Sequence, residues 1–575
     1  MRKRIKFDLM AVAIILIVSA VLCWPLINPG LFQIHDDQQV ARLFLFDQAI
    51  KAGQFPVRWV SGLGFGFGYP LFVFYPPFVY GLGELIHLSG AGFVDSVKIV
   101  FALSILLSGI TMYILGKNIS GKIGGLVAAV FYMMAPYRAV DVYVRGALSE
   151  SFSFVWLPLI LYAFLKLSQC KSFNKYYVLL AAFSVAFLMI THNLVLLPFL
   201  IFLTLFILFL FMVTKNKKVF SSSCIISLLL AAGLSAFFWI PSLLEKKYTI
   251  VDQILLVDLA DYRSHFVYVQ QLWNSLWGFG GSTAGLGDGI SFKIGKLHVV
   301  LATTAFVISL LIFKYRKRLP QVNLTLCFFG LLLLAAFMTT SYSQLIWQIF
   351  VPLAYLQFPW RFLIFTSLFS SILAGLFIFY IRIKSLQILA AIVLITTLII
   401  PNIKLFTPDK YRSDLTDQEA TSKEVINWDV SKTSFEYAPK GVDLYKGPLG
   451  TNLINIAKNE ITQEKIQILK GDSVIKNLRT NPSKVTFNSN SKSESVIQAN
   501  IFNFPNWEVS VDGQSVNIND DNKLKLITFD VPQGSHKVEI AFKDTPVRSM
   551  ANVVSIFSIL VVLVLTLKKW NKISV

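Results

Sequence analysis

An imidazole and two adjacent carboxylates stand together near the start of the chain. His35, Asp36 and Asp37 follow the first hydrophobic segment and precede an aromatic and glycine-rich run over residues 55–80. A carboxylate can act as a general base or bind a divalent metal ion, and adjacent carboxylates raise each other's pKa. Asp37 and Asp36 are therefore candidate catalytic bases. A divalent metal ion is a possible cofactor, and no other cofactor is indicated.

A structural interpretation of the same residues competes with the chemical one. Asp36 is followed by Gln39, by a helical pattern over residues 40–50 and by a stop at Gly53. This spacing is typical of a helix-capping box. The sequence leaves both interpretations open, and one carboxylate could serve both purposes.

A second charged group contains Arg138, Asp141, Arg145 and Glu150. In a structural role, these residues would form ion pairs beside helix ends. In a chemical role, the two arginines would hold a phosphate through bidentate hydrogen bonds. The mixture of arginines and carboxylates favours binding of a phosphorylated ligand.

Two further short motifs carry polar groups beside apolar segments. His192 lies between Thr191 and Asn193 at a turn between helical segments, where a capping role competes with catalysis. Trp360 and Arg361 begin another apolar segment. They are either an aromatic anchor with a snorkelling arginine or contacts for a phosphate or sugar.

The long polar stretch over residues 241–296 is rich in tryptophan and glycine. Trp273 and Trp277 precede a glycine-rich run over residues 278–289. Exposed indole rings can form a platform on which a sugar stacks, or they can pack against a membrane. The sequence leaves this choice open.

The composition places these residues in a membrane protein. The chain has 575 residues, of which 55% are hydrophobic, and its mean hydropathy is +0.63. Apolar runs near twenty residues recur along it, and a bilayer core about 30 Å thick needs about 20 apolar residues per helix. We therefore predict a polytopic α-helical membrane protein with about twelve transmembrane helices.

The basic residues that give the chain its net charge of +20 are distributed in step with the apolar runs. Lysines and arginines concentrate in short gaps between alternate apolar runs, as at residues 215–218 and 314–318. Such loops are typically cytoplasmic, so the distribution indicates a membrane topology rather than a nucleic-acid partner. It predicts cytoplasmic N- and C-termini and places every motif above outside the cytoplasm.

Twelve helices satisfy this sorting of the basic loops. The segment 69–88 is apolar enough to span the membrane, but a span there would place the later basic loops outside the cytoplasm. We therefore expect this segment to form a helix or hairpin in the outer interface, with Tyr69, Tyr75 and Tyr80 at the lipid boundary. The predicted spans are residues 8–27, 93–116, 122–137, 150–168, 176–191, 193–213, 221–240, 297–314, 321–339, 361–381, 385–402 and 549–567.

The chain divides into three parts. Residues 1–403 form the transmembrane part, whose outer loop covers 28–92, and residues 548–575 form the last helix and a cytoplasmic tail. Residues 404–547 are polar and show strand patterns, such as residues 507–511 and 514–518 around Asp512-Gly513. We expect an extracytoplasmic β-sandwich there.

Several classes of protein are disfavoured. The chain has neither a nucleotide P-loop nor a dinucleotide-binding glycine motif, so a nucleotide-driven pump is not expected. The four cysteines lie within or at the ends of apolar runs, so we predict no structural disulfide.

The order of the motifs along the chain resembles the GT-C superfamily of membrane glycosyltransferases. It is similar in particular to bacterial YfhO-like proteins and to relatives labelled 6-pyruvoyl-tetrahydropterin synthase-related membrane proteins, although the chain lacks the clustered histidines of a zinc-dependent pterin enzyme. The motifs are His35-Asp36-Asp37, Phe55-Pro56-Val57-Arg58-Trp59, Gly68-Tyr69-Pro70, Tyr75-Pro76-Pro77, Ala135-Pro136-Tyr137-Arg138, Tyr143-Val144-Arg145-Gly146-Ala147, Glu150, Thr191-His192-Asn193, Phe358-Pro359-Trp360-Arg361 and Phe504-Pro505-Asn506-Trp507.

The resemblance implies transfer of a sugar from a polyprenyl-phosphate-linked donor to a cell-envelope acceptor, such as teichoic acid or another surface glycan. It implies that the first outer loop supplies the acidic catalytic residue, here Asp37 or Asp36. His35, Arg58 and the other polar motif residues become candidate contacts of the donor. Two alternatives stay open: a transporter or flippase of lipid-linked sugars, and a non-enzymatic envelope assembly protein.

Overall fold

The computed structural model describes residues 2–257, 260–315, 319–447, 450–461 and 464–567. The basic residues Arg316, Lys317 and Arg318 and the tail 568–575, which the topology prediction uses, lie outside this range. The transmembrane part is helical throughout. Its long helices are Arg2–Leu22, Phe93–Met133, Leu148–Ser168, Lys175–Thr191, Asn193–Val213, Lys217–Leu234, Lys296–Tyr315, Pro320–Met338, Leu363–Tyr380, Lys384–Asn402 and Pro546–Leu567.

The longest of these helices is a hairpin of two helices, as the sequence predicts. Phe93–Met133 is interrupted at Gly121, whose φ of 81° lies in the region that favours glycine. The two arms approach closely, because a Cβ on Gly116 would lie 2.9 Å from the Cα of Gly125. The predicted spans over 93–116 and 122–137 are therefore separate helices joined by a tight turn.

By length and composition, nine helices in the described ranges could cross a membrane, counting Phe93–Met133 once. Phe7–Leu22 and Lys175–Thr191 are apolar but shorter. The membrane class and the helical fold are thus confirmed, whereas the count of twelve spans stays a prediction. Leu148–Ser168 lies at the centre of the bundle and packs against both Phe93–Met133 and Lys175–Thr191.

Side-chain contacts join helix ends that the topology prediction places on the same side of the membrane. Asp8 forms ion pairs with Lys117 and Lys122 at 2.9 and 2.8 Å, and Lys175 donates to the carbonyl oxygens of Leu565 and Thr566. All six residues lie in loops predicted to be cytoplasmic or at the predicted cytoplasmic ends of spans.

Predicted outer segments contact one another at the opposite ends of the helices. Lys98 donates to the carbonyl oxygen of Asn28 at 3.0 Å. Asn402 donates to the carbonyl oxygen of Met134 at 3.0 Å. The segments therefore fall into two groups, and which group faces the cytoplasm stays a prediction.

The segment 69–88 folds as two short helices, Leu71–Phe74 and Phe78–Leu88. Leu85 and Leu88 are exposed on the second helix. The interfacial placement of Tyr69 and Tyr80 is wrong, because both side chains are almost fully buried in the protein. The phenolic oxygen of Tyr69 accepts a hydrogen bond from the backbone of Tyr437, which draws this segment into the interior.

The C-terminal polar region contains two antiparallel sheets that enclose an apolar core. One sheet has five strands in the order Gln514–Val516, Trp507–Val511, Gly534–Phe542, Lys484–Ser491 and Ser473–Asn481; the other has three in the order Leu526–Val531, Ser495–Phe502 and Ile466–Lys470. Ile497, Phe529 and Ile540 are buried between the sheets. The predicted β-sandwich is therefore present, and its first strand begins at Ile466.

Two turns of the sandwich differ in kind. The predicted turn at Asp512-Gly513 is confirmed, and both residues have positive φ, as a tight hairpin requires. Leu526–Val531 and Gly534–Phe542 do not form a hairpin with each other, because they belong to different sheets. The chain crosses between the sheets at residues 532–533.

A long segment joins the last membrane helix of the first part to the sandwich. Residues 409–438, named here the strap, run across the outer loop 28–92. Tyr411–Arg412 pairs with Leu31–Phe32 as a two-stranded ladder, and the Asp417 carboxylate accepts from the backbone of Phe93 and Val94 at 2.8 Å. The strap thus ties the C-terminal region to the loop that contains Asp36 and Asp37.

A buried ion pair ties the sandwich to the membrane helices. Arg548, at the start of the last helix, donates to the carboxylate of Glu245 at 2.8 Å. Thr545 donates to the same carboxylate at 2.5 Å, and Arg58 reaches this junction through Asn552 at 2.9 Å. Arg548 and Glu245 are almost fully buried, so each depends on the other for its charge compensation.

We expect Glu245→Ala to destabilise the protein by about 3 kcal/mol, because it leaves the Arg548 guanidinium buried without its partner. The unfolding temperature of the purified protein measures this effect. Glu539→Ala is the matched control: it breaks the exposed pair with Lys484 and should cost about 1 kcal/mol or less. Equal losses in the two variants would contradict the assignment.

The predicted topology can be tested at two exposed positions. With the four native cysteines replaced, Ser493→Cys in the sandwich should react with a membrane-impermeant maleimide in intact cells. Lys171→Cys, in a predicted cytoplasmic turn, should react only after permeabilisation. Both side chains are exposed, so a reversed labelling pattern would invert the topology.

Candidate functional site at the outer loop

The turn between two membrane helices presents charged side chains to a single point. Pro136–Ala139 is a short helix, and Val140–Arg145 continues it as a wider π-type turn. Gly146 then adopts a left-handed conformation with φ of 65°, before Leu148–Ser168 begins. A Cβ on Gly146 would lie 2.4 Å from Ile34, so this close approach requires glycine.

Arg145 is the centre of the resulting cluster. Its Nη1 donates to Asp141 Oδ1 and to Glu150 Oε2, both at 2.7 Å, and approaches Tyr137 Oη at 3.2 Å. Tyr137 in turn donates to Glu150 Oε1 at 2.5 Å. All four side chains are buried, so the two carboxylates and the guanidinium compensate one another.

The electrostatics of the cluster follow from this burial. Burial raises the pKa of Asp141 well above its usual value, and the neighbouring Glu150 carboxylate adds to the effect. Burial by itself lowers the pKa of Arg145, but Glu150, Tyr137 and Asp141 outweigh it and hold that pKa well above its usual value. Arg145 is thus a fixed positive charge.

Trp360 and Arg361 close the cluster from the other side. The Trp360 ring lies 4.8 Å from the Arg145 guanidinium carbon, in a cation–π contact. Arg361 Nε lies 3.6 Å from Glu150 Oε2, and its Nη1 donates to the carbonyl oxygen of Leu356. Its Nε is buried and makes no hydrogen bond, whereas the side chain as a whole is partly exposed.

The loop with the two aspartates lies directly on this cluster. The backbone N–H of His35 donates to Val144 at 3.1 Å, and that of Asp36 donates to the carbonyl oxygen of Arg145 at 2.8 Å. The Asp36 charge acts on both Asp141 and Arg145. Two groups separated by more than one hundred residues in sequence therefore form one site.

Asp37 occupies the side of this loop that faces the strap. Its side chain is exposed to solvent. Desolvation by the surrounding loop, followed by the charge of Asp36, raises the pKa of Asp37; Arg412 opposes this shift and Asp429 adds to it. Asp37 is therefore accessible and more basic than an ordinary aspartate.

The capping interpretation of Asp36 is wrong. The helix extends over Gln39–Lys51, its N-cap is Gln38, and no side chain caps it. The predicted stop is confirmed, because Gly53 follows the helix with φ of 85°. The side chains of Asp36 and Asp37 are thus not engaged in capping.

The glycine-rich loop covers the site through two contacts. His35 Nε2 lies 2.9 Å from the carbonyl oxygen of Phe279. Trp360 Nε1 donates to Ser282 Oγ at 3.1 Å, and that hydroxyl lies 2.8 Å from His265 Nδ1. Sequence reasoning singled out neither His265 nor Ser282, since they lie in the long polar stretch outside any motif.

The two tryptophans of the same stretch have lysines over their rings. Lys296 lies 5.8 Å from the Trp273 ring centroid, and Lys293 lies 5.7 Å from that of Trp277. Trp273 remains partly exposed. Whether either ring stacks on a sugar stays a prediction.

Three predicted site residues lie apart from the cluster or act structurally. Arg138 is fully buried and donates to Ser151 and Ser104 at 2.5 and 2.8 Å. Arg58 belongs to the junction with the last helix. His192 Nδ1 accepts from the backbone of Val195 at 3.2 Å, as the capping interpretation predicts. Burial lowers the pKa of His192 to about 3, and the charges of Glu150, Arg361 and Arg145 act on it, so His192 borders the cluster.

The structure thus brings together His35, Asp36, Asp141, Arg145, Glu150, Trp360 and Arg361, with Asp37 at the edge. Across the described ranges, no three histidine, cysteine or acidic side chains are placed to hold a metal ion. The cluster combines accessible carboxylates with fixed positive charge at one end of a membrane helix bundle. Such a site can bind an anionic group and remove a proton beside it.

Comparison with known proteins adds the following. No family model matches the chain. An uncharacterized protein of Lactococcus lactis subsp. cremoris is 25% identical over 324 residues. The match covers 54% of this chain and 50% of that protein, so the chain spans about half the length of this relative.

Solved structures that are similar to parts of this chain include three membrane-associated transferase structures, each with a TM-score below 0.5. The oligosaccharyltransferase of Archaeoglobus fulgidus has a TM-score of 0.45 and 12% identity, over 72% of this chain and 56% of that one. The mycobacterial arabinofuranosyltransferase AftD has a TM-score of 0.43 and 16% identity, over 69% and 28%. ArnT from Cupriavidus metallidurans, bound to undecaprenyl phosphate, has a TM-score of 0.26 and 13% identity, over 64% and 77%.

Proposed function

We propose that this protein is a membrane glycosyltransferase. It moves a sugar from a polyprenyl-phosphate-linked donor to a hydroxyl group of a cell-envelope acceptor, such as teichoic acid or another surface glycan, outside the plasma membrane. One observation carries the proposal: the Asp36–Asp37 loop is hydrogen-bonded onto a buried arginine cluster, beside which Arg361 is partly exposed. A base beside an anion-binding group is the pairing that this transfer requires.

The reaction needs two functions from the protein. The acceptor oxygen attacks the anomeric carbon and its proton passes to a carboxylate, for which the accessible and basic Asp37 is the stronger candidate. The bond between the anomeric carbon and the phosphate oxygen breaks, and the lipid phosphate leaves with the electron pair. Because phosphate is a good leaving group, the positive charge that receives it can act in place of a general acid.

Arg361 is the best candidate to bind the donor phosphate. Its side chain is partly exposed and its Nε is unpartnered. Arg145 is bound to Asp141 and Glu150, so it holds the cluster together rather than contacting phosphate directly. The resemblance of Phe358-Pro359-Trp360-Arg361 to GT-C proteins supports the same assignment.

The alternatives predict different behaviour of the aspartates. A flippase of lipid-linked sugars should still move lipid without them, and an assembly protein that displays the sandwich should not need them. Deletion of this protein, complemented with wild type, Asp36→Asn or Asp37→Asn, separates these functions.

We expect the deletion to remove one sugar substituent from the envelope glycans. Wild type should restore it, whereas Asp37→Asn should restore less than about 1% of it, because general-base catalysis contributes about 10²–10⁴-fold. Glycan analysis by mass spectrometry measures the outcome, with protein level as the control. Full rescue by both aspartate variants would contradict the proposal.

The pH dependence of transfer identifies the base. Asp37 accepts a proton only when ionised, so activity should fall as the pH drops through its raised pKa. Arg412 lowers and Asp429 raises the pKa of Asp37. Arg412→Gln should therefore move the acid limb to higher pH, and Asp429→Asn should move it to lower pH.

The opposite signs are the diagnostic feature of this experiment. Neither strap residue needs to touch substrate, so kcat at high pH should be retained in both variants. Lys458→Gln, which removes an exposed charge paired with Glu424, is the control and should leave the profile unchanged. Shifts of the same sign in the two strap variants would exclude Asp37 as the titrating base.

A further inference from the structure

A second polar cluster lies between the helix Gln39–Lys51 and the strap. Arg42 projects from the helix, Tyr75 comes from the outer loop, and Ser434, Glu436 and Tyr437 come from the strap. These five residues are named here the Arg42–Glu436 site. Neither the motifs nor the proposed reaction gives them a role.

The guanidinium of Arg42 is buried with unused donors. Arg42 is 2% exposed, and its Nη2 donates to Ser434 Oγ at 2.9 Å. Its Nε and Nη1 have no hydrogen-bond partner of good geometry, and the Tyr80 hydroxyl lies beside the guanidinium. A buried guanidinium with two orphan N–H groups is costly unless another group accepts from them.

Glu436 faces this guanidinium without forming an ion pair to it. The charge of Arg42 acts on the carboxylate, which hydrogen-bonds with the hydroxyls of Tyr69 and Ser434. Among the residues that the structure describes, Arg42 and Glu436 do not form an ion pair within 4.0 Å. The Ser434 hydroxyl lies between the two groups, since it accepts from Arg42 and hydrogen-bonds with Glu436.

Aromatic rings form the walls of this site. The Tyr75 ring lies 4.3 Å from the Arg42 guanidinium carbon. Tyr437 stacks on Phe74, with ring centroids 4.9 Å apart. Tyr75, Glu436 and Tyr437 are only half-buried, so the site reaches the protein surface.

The site adjoins the catalytic candidates. Gln39, on the same face of the helix as Arg42, donates to the carbonyl oxygen of Gly146 at 3.1 Å. Gly146 directly follows Arg145, and Asp37 precedes Gln39 by two residues. A ligand at Arg42 would thus lie beside the loop that contains the proposed base.

We propose that the Arg42–Glu436 site binds a neutral sugar ring through its vicinal hydroxyls. A hydroxyl accepts from an arginine N–H and at the same time donates to a carboxylate, so one diol can bridge Arg42 and Glu436. A phosphate or carboxylate could accept from Arg42 but would be repelled by Glu436. The C–H face of a sugar packs on aromatic rings such as Tyr75 and Tyr437.

This inference deepens the proposed function and rests on it for its biological role. The sugar ring could belong to the donor or to the acceptor glycan, since both offer the same hydroxyl chemistry. Binding and transfer are separate measurements, so the two proposals can fail separately.

The binding experiment uses the purified full-length chain in detergent and a panel of methyl glycosides of glucose, galactose and N-acetylglucosamine. Saturation-transfer NMR should show that at least one of them binds wild type. Glu436→Gln, which keeps the shape but not the charge, should weaken that binding at least fivefold. Glu436 is the carboxylate whose charge acts on the buried Arg42, so its removal should lower the unfolding temperature somewhat, and binding is measured well below the unfolding temperature of both proteins.

Glu424→Gln is the matched control. It makes the same substitution on the same strap, at an exposed carboxylate paired with Lys458, and should leave glycoside binding unchanged. Failure of every glycoside to bind wild type would overturn the inference. So would equal binding by wild type and Glu436→Gln.

Transfer kinetics then identify the source of the sugar. A raised KM for the acceptor in Glu436→Gln assigns the site to the acceptor glycan, and a raised KM for the lipid-linked donor assigns it to the donor. Unchanged KM values for both would overturn the inference. Glycoside binding that depends on Glu436 in a protein with no transferase activity would leave this site standing and remove the proposed function.

Discussion

The buried ion cluster around Arg145 is the constraint on which the outer part of the structure depends. Asp141 and Glu150 lie 2.7 Å from the same guanidinium nitrogen, and all three side chains are removed from water. Charges in such a place are tolerated only when their partners are held in position. The turn over residues 136–150 therefore has one acceptable arrangement, and its backbone carbonyls become fixed acceptors for the N–H groups of His35 and Asp36.

The strap extends this constraint to the C-terminal region. The ladder between Leu31–Phe32 and Tyr411–Arg412 ends four residues before Asp36, and Asp417 caps the helix that begins at Phe93. The strap also brings Arg412 and Asp429 close enough to act on the charge of Asp37. The C-terminal region is thus one wall of the site, although the chain reaches it only after eleven long helices.

The sequence was informative where a local signal exists. Apolar length predicted the membrane helices to within a few residues, and Asp512-Gly513 predicted its hairpin, because both depend on neighbouring residues. The burial of Tyr69 and Tyr80, the non-capping role of Asp36 and the change of sheet at residues 532–533 depend on contacts between distant segments. The grouping of Arg145 with Glu150 was predictable from their spacing. The contacts of Trp360 with Ser282 and of Arg42 with the strap could not be predicted, because no local sequence pattern indicates them.

The two adjacent aspartates have unlike environments, and this difference supports the separate roles proposed for them. Asp36 is joined through its backbone to the Arg145 carbonyl, and its charge acts on the buried cluster. Asp37 faces solvent and the strap, and desolvation and its neighbour raise its pKa. Neighbouring carboxylates in different surroundings commonly divide acid–base and electrostatic work between them. Here the residue that faces water is free to take a proton, whereas the residue beside Arg145 adds negative charge that keeps its neighbour basic.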